Sequence, residues 1–363
     1  MFMSDKTFSF IAGAVTCVLF LAVGCTELAE EAAKSKVESE TTQSTGAPPA
    51  VEKTVEPEAE PKEQLPTVEL TLKFAPRDST TWRVITEAQK SVTWESSLPE
   101  KPSAFKGGHT GNKIEITFTQ RIESVEAKGD AIAEITIEGL KYSEKIRDNT
   151  VLDFDGSREK DRDNPLSKLI GQSYTIAISP AGRVLKVVDV NEAQAAVQGS
   201  SSAHKTASTL LSEDAIKQRH TISALPVTEK NQLRKGDSWS SIKAFSFGMM
   251  GSRSYERIYT LKQVKDADNE QVAIVEMKAI PSSEMAEELH KQQVGGLFSK
   301  LFDNIETYTG RLKLDLTAGK VEEYVEELRT EWVAVDPSAG QEDKTPDALK
   351  MSATRLYRLE KID

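Results

Sequence analysis

Cysteine is nearly absent. The 363 residues contain two, Cys17 and Cys25, and both fall within the first 25. The rest of the chain therefore has no disulfide and must fold on core packing alone. Histidine is almost as scarce. His109, His204, His220 and His290 are scattered, and none has a partner at metal-ligand spacing. No Gly-x-Ser-x-Gly elbow occurs. Asp153, Asp155, Asp161 and Asp163 do not match a calcium loop. Arg158, Lys160 and Arg162 lie among them and would repel a cation, so the run reads as a solvated surface. Positive charge is in deficit, 46 Lys and Arg against 57 Asp and Glu, a net of −11. Such a chain repels phosphate backbones, so nucleic acid is not an expected partner. No catalytic, metal or cofactor motif remains, and the chain is read as a non-enzyme.

What is present begins with an apolar run from Phe8 to Val23, broken only by Ser9, Gly13, Thr16 and Cys17. Its length suits a signal-peptide core and is marginal for a membrane span. It ends in Leu21-Ala22-Val23-Gly24-Cys25, which resembles the lipobox of bacterial lipoproteins, with Ala22 where that motif usually has Leu. The resemblance implies cleavage after Gly24, a diacylglycerol thioether on Cys25 and an acylated new amine. Residues 1–24 would then be the signal peptide. Two or three acyl chains anchor stably, at roughly 0.8 kcal/mol per buried CH2. Thr26 stands where an Asp commonly retains lipoproteins in an inner membrane. The expected location is the cell envelope, at the periplasmic face of an outer membrane or at the cell surface.

Residues 25–66 carry the lipidated cysteine and a linker. Residues 26–66 contain no Phe, Trp or Tyr, hold ten Glu against Lys34, Lys36, Lys53 and Lys62, and are punctuated by five prolines from Pro48 to Pro66. This composition buries too little apolar area to offset ordering entropy, and reads as a self-repelling stalk.

From residue 67 the patterning turns to strands. Val68, Leu70, Leu72 and Phe74 alternate, as do Ile114, Ile116 and Phe118, and Ala131 to Leu140 reads as a return strand. Val151 to Asn164 is charged and reads as a loop. An order of motifs then repeats. Leu166-Ser167-Lys168-Leu169-Ile170, Tyr174 and Gly182 are echoed by Phe298-Ser299-Lys300-Leu301-Phe302, Tyr308 and Gly319. Ala131 to Ile135 is echoed by Ala273 to Met277, and Asp78 to Trp82 by Asp237 to Trp239. The chain thus divides into two homologous halves, 67–225 and 226–363. The first ends in a helical linker, with an Ala-rich stretch from Asn191 and a helix after a Ser212 cap. Ser283 to Val294 reads as a helix in the second half, broken by Gly295-Gly296. Lys320 to Val335 fits a helix or a strand and is taken as strand, like its Val-rich counterpart. Leu349 to Ile362 is the last strand.

The expected fold class is α+β: a mostly antiparallel, strongly twisted sheet or open half-barrel from the two halves, with a few covering helices. The body resembles uncharacterised, duplicated, β-rich envelope lipoproteins, which brings no known activity. At the level of fold alone it is similar to lipoprotein-carrier half-barrels, which hold acyl chains between sheet and helices. Leu297, Phe298, Leu301 and Phe302 fall on one helical face, as do their counterparts Leu166, Leu169 and Ile170; of these, Leu166, Leu169, Leu297, Phe298, Leu301 and Phe302 are the candidate lining of an apolar ligand. The expected function is a membrane-anchored binding or scaffold module, whose partner is an apolar ligand or an envelope protein. An apolar-ligand carrier and a hydrolase without a recognisable motif are the alternatives.

Overall fold

A computed structural model describes residues 67–95, 107–227, 232–267, 270–283, 303–335 and 348–362. Cys25, the acidic linker, the segment 284–302 with Leu297, Phe298, Leu301 and Phe302, and the helix expected at 283–294 (beyond Ser283) all lie outside the described residues. Among the described residues, strands take up 62% and helices 14%. The α+β expectation is therefore corrected: this is a mainly β protein built on one open antiparallel sheet.

The strands in chain order are β1 (Val68–Glu69), β2 (Ser79–Glu95), β3 (Gly108–Val125), β4 (Ala131–Ile146), β5 (Asn149–Asp155), β6 (Ser173–Ile178), β7 (Val184–Asp189), β8 (Gln232–Leu233), β9 (Ser238–Ser246), β10 (Ser252–Ala267), β11 (Glu270–Ser282), β12 (Asp303–Asp315), β13 (Lys320–Val335) and β14 (Ala348–Lys361). Three short helices, α1 (Asn191–Ala196), α2 (Ser202–Leu210) and α3 (Glu213–His220), follow β7. The large sheet has 12 strands in the order β7-β6-β4-β3-β2-β14-β13-β12-β11-β10-β9, with β5 beside β4. It holds two meanders of the same sense, β2-β3-β4-β6-β7 and β9-β10-β11-β12-β13, with β14 joining them between β13 and β2. Each meander is preceded by a two-residue strand, and these two strands, β1 and β8, pair with each other.

Alternation decides which face is inside. In β4 the side chains of Ala131, Ala133, Ile135 and Ile137 are buried, and then Leu140 and Tyr142. The change of parity follows from a bulge, where Thr117 opposes Gly139 while Phe118 opposes Ile137. The segment expected to be a loop at 151–164 in fact begins with β5. Glu159, Lys160, Arg162 and Asp163 are exposed while Phe154 is buried, and Arg158 pairs with Asp153 and with the mostly buried Asp161. Leu166 and Leu169 sit in a single 3-10 turn, Pro165–Leu169, rather than on an α-helical face, with the Asn164 side chain accepting from the Leu166 amide. Pro165 starts this turn, and the chain leaves it in extended backbone at Ile170.

The sheet curls until distant strands touch. β9 and β13 are four strands apart in the sheet order, roughly 19 Å on a flat sheet. Lys243 on β9 nevertheless lies 3.4 Å from Glu326 on β13, and Phe245 on β9 meets Tyr308 on β12 at 5.6 Å between ring centroids. Inside the first meander the concave face is filled by helices. Ser212 caps α3 at the Ala215 amide, 3.3 Å away. At the other end of α3, His220 Nε2 is 2.7 Å from the Tyr174 hydroxyl, and its ring sits edge-on to Phe118. Arg219 Nη1 donates to the same Tyr174 oxygen at 2.9 Å, and the Tyr357 hydroxyl of β14 donates to the Arg219 carbonyl at 2.8 Å. Burial, and then the Arg219 charge, hold the His220 pKa well below its ordinary value, so the imidazole is neutral here.

Residues 70–74 do not continue β1 as the alternating pattern predicts. They form a strap across the ends of two hairpins. The Leu72 amide donates to the Pro180 carbonyl at 2.8 Å and the Lys73 amide to the Gly319 carbonyl at 3.0 Å. Lys73 Nζ adds a bond to the Leu316 carbonyl at 2.7 Å. Backbone groups of the strap are thus satisfied by turns, not by a neighbouring strand. Gly182 and Gly319 occupy the β6–β7 and β12–β13 turns at φ +71° and +62°. Each carbonyl accepts an amide from a crossing segment, Ile222 for Gly182 and Lys73 for Gly319. A Cβ on Gly319 would lie 2.4–2.5 Å from Lys73 atoms, including its backbone nitrogen. Gly319→Ala therefore combines a left-handed backbone cost of about 1–2 kcal/mol with displacement of the strap. Thermal unfolding of the variant should come at least about 4 °C lower; an unchanged midpoint would mean that the strap contributes nothing to stability.

Candidate functional site

Among the described residues, the concave face of the second meander is filled with charged and aromatic side chains. On β13 the inward row is Tyr324, Glu326, Leu328, Thr330 and Trp332, and β10 contributes Tyr255, Arg257, Tyr259 and Leu261; all nine are buried. Glu326, its side chain only 5% exposed, is the hub. Its carboxylate accepts from Arg257 Nη1 at 3.0 Å, from the Tyr308 hydroxyl at 2.8 Å, from the Tyr259 hydroxyl at 3.2 Å and from the Tyr324 hydroxyl. Lys243 Nζ lies 3.4 Å away. Burial alone would raise the Glu326 pKa. Lys243, Arg257 and the Tyr324 and Tyr308 hydroxyls outweigh it and hold the carboxyl at about 2. Burial, and then the Glu326 charge, push the pKa values of Tyr259, Tyr308 and Tyr324 up, which keeps these hydroxyls protonated as donors.

A second carboxylate sits two residues before Tyr308 on β12. Glu306 has a side chain 9% exposed. Its Oε1 accepts from Arg253 and from Asn304 Nδ2. Asn304 is held in turn by the Thr330 hydroxyl at 3.0 Å, and Arg253 lies over the Trp332 ring at 5.9 Å. Glu306 Oε2, in contrast, is buried with no hydrogen-bond partner, and so is the hydroxyl of Tyr255. Burial, followed by the Glu306 charge and the approach of the Glu306 carboxylate to the hydroxyl, drives the Tyr255 pKa upward. Both atoms belong to residues lining a cavity of about 240 Å³, with Ala279, Pro281, Asn304 and Tyr308 completing the wall.

The cavity lies where two strands part. The β11–β12 ladder runs from Val272 opposite Asp315 to Lys278 opposite Thr309. Beyond it, residues 279–282 and 303–308 are not registered against each other, although both remain strand through their other neighbours. In the first meander β4 also leaves β6 after Thr136 opposite Ser173, but there β5 pairs with β4. The Pro165–Leu169 turn packs alongside, and Leu166 and Leu169 are fully buried. Those two leucines line neither of the two cavities described here. The other cavity, under the strap and bounded by Leu72, Trp82, Phe118 and His220, holds about 40 Å³. That is room for only a few waters, not for an acyl chain.

Sequence reasoning passed over Glu306, Glu326, Arg253, Arg257 and Tyr255. A signal existed: Arg253-x-Tyr255-x-Arg257-x-Tyr259 places two arginines on the same parity as buried tyrosines. In β13 the five glutamates at 322, 323, 326, 327 and 331 disguise the single inward one. Among the described residues no cluster of three or more His, Cys, Asp or Glu is placed to hold a metal ion.

One curled β-sheet, with a tyrosine-lined carboxylate core and a cleft at a strand divergence, defines the class of protein. The chain belongs to DUF6263, a family of unknown function whose model matches residues 128–321. No curated protein matches it. Among solved structures, lipovitellin, studied for its lipid–protein interactions, is similar at 11% identity and a TM-score of 0.38 over 80% of this chain. The chain spans 26% of the lipovitellin chain. DynF, from the dynemicin biosynthesis pathway of Micromonospora chersina, shows 8% identity and a TM-score of 0.17, covering 86% of this chain and 93% of its own. OpdQ of Pseudomonas aeruginosa shows 10% and 0.14, covering 78% and 99%. Scores this low carry no argument about what the chain does.

Removing the hub charge tests its role. Glu326→Gln leaves Arg257 and Lys243 without their counter-charge, a loss of about 3–5 kcal/mol, so the unfolding midpoint should fall by about 10 °C. In the wild type, the folded carboxyl has the lower pKa, so the unfolded chain takes up the proton first. Stability from Glu326 is full above about pH 4.5 and is lost as pH falls toward 2, by on the order of 3 kcal/mol. Urea denaturation at several pH values should show that slope in the wild type and a shallower one in Glu326→Gln; equal slopes would refute the assignment.

Proposed function

We propose that the chain is a non-catalytic binding module of the bacterial cell envelope, tethered through acyl chains on Cys25 and the acidic linker that follows it. The observation that carries the binding reading is the half-satisfied Glu306. A buried carboxylate oxygen and a buried tyrosine hydroxyl without partners cost about 1–3 kcal/mol each, and they border a cleft. Polar groups left open in this way are satisfied when a ligand arrives. Glu326 is saturated by its five partners and has no free capacity to act as a base, which favours binding over hydrolysis. The matching order of strands and the matching turns at Gly182 and Gly319 favour a duplication, with halves at 67–225 and 226–363. In this reading the first half gave its concave face to helices and the second kept a cleft.

Two measurements test the proposal. Cys25→Ser should move the protein out of the membrane fraction or leave it unprocessed, and the wild-type peptide beginning at Cys25 should carry acyl mass. Unmodified Cys25 in the mature chain would remove the anchor. For the cleft, thermal shift of the full chain against small polar probes (amines, amides, glycosides and carboxylates) should find a stabilising class that Glu306→Gln does not respond to. No shift from any class would remove the binding reading.

A further inference from the structure

We infer that the cleft between β11 and β12 takes a neutral, hydroxyl-bearing ring of monosaccharide size, held by Glu306 Oε2 and the Tyr255 hydroxyl. This rests on the binding reading above and adds the ligand's chemistry. Charge limits the ligand first. Glu306 is already neutralised through Oε1, where Arg253 and Asn304 donate. A cationic ligand on Oε2 would sit close to Arg253, with Arg257 and Lys243 on the same face. An anionic ligand would face the Glu306 carboxylate itself. A neutral ligand meets neither penalty.

Hydrogen-bonding capacity narrows the choice. Oε2 only accepts, whereas the Tyr255 hydroxyl both donates and accepts. A ligand serving both from adjacent atoms must donate at one and either donate or accept at the next, as neighbouring hydroxyls do. The remaining wall is small and apolar at Ala279 and Pro281 and aromatic at Tyr308. That suits the C–H face of a saturated ring. The cavity of about 240 Å³ is below the roughly 300–1,000 Å³ of drug-sized sites, so one ring is the fitting size. An amide also donates and accepts, but a peptide strand needs a long ladder edge, and the edges that part here are at most six residues long.

The experiment is calorimetric titration of the full chain, in detergent, with methyl glycosides of glucose, galactose, mannose and N-acetylglucosamine. Ethylammonium, N-methylacetamide and acetate serve as contrasts. Saturable binding of at least one glycoside is expected, with none from the charged probes. Tyr255→Phe removes a hydroxyl with no close partner beyond the neighbouring Glu306 carboxylate, so its unfolding midpoint should stay near that of the wild type. Its glycoside affinity should fall about tenfold, the worth of one hydrogen bond. Glu306→Gln should lose more. Binding of ethylammonium, acetate or N-methylacetamide in place of the glycosides would overturn the ligand class and leave the binding reading standing. No binding by any probe would overturn both. Glycoside binding untouched in Tyr255→Phe and Glu306→Gln would place the sugar elsewhere and overturn this site.

Discussion

The curl of the second meander depends on one buried carboxylate. Glu326 on β13 is bonded by residues from β9, β10, β12 and its own strand, so a single charge holds four strands of one sheet to a common centre. An ion in that position is costly to desolvate, and it persists only because every lone pair is met. Three tyrosines do this without adding charge, and Arg257 with Lys243 supplies the opposite sign. Aromatic contacts among Phe245, Tyr255 and Tyr308 close the space around it.

The inner face of the first meander is filled differently. Helices α1 to α3 occupy the concave face, and Arg219, His220, Tyr174 and Tyr357 join α3 to β6 and β14. A neutral imidazole suffices there because the arginine's charge is spread over a hydroxyl and the Leu210 carbonyl. Two runs of strands with the same order therefore fill their inner faces by unlike means. The difference bears on function. The helices fill the first face, whereas the side chains described on the second leave a cleft where β11 and β12 separate.

The strap ties these two solutions together. By bonding the Pro180 and Gly319 carbonyls in successive residues, it fixes the tip of a first-half hairpin against the tip of a second-half hairpin. Lys320, beside Gly319, adds a bond to Asp78, where the strap turns into β2. The body therefore gains a cross-brace from a stretch only a few residues long, close to the linker that precedes it in the chain.

By itself the sequence determined the strand-dominated alternation, the hairpin positions of Gly182 and Gly319, the Ser212 cap and the absence of disulfides in the body. These are local properties: period-two burial, positive φ at a turn and an oxygen beside a free amide act over a few residues. The balance of strand and helix was misjudged, because the sequence spans of sheet and helix do not show how little helix the concave face needs. Residues 70–74 alternate like a strand, yet only the approach of two distant turns turned them into a strap. The role of Glu326 was equally hidden. One inward glutamate among five on β13 looks like its outward neighbours until the sheet curls and brings Lys243, Arg257 and three tyrosines to it. Curvature is a sum over many strand pairs, and it decides which charges meet; no short stretch of sequence contains it.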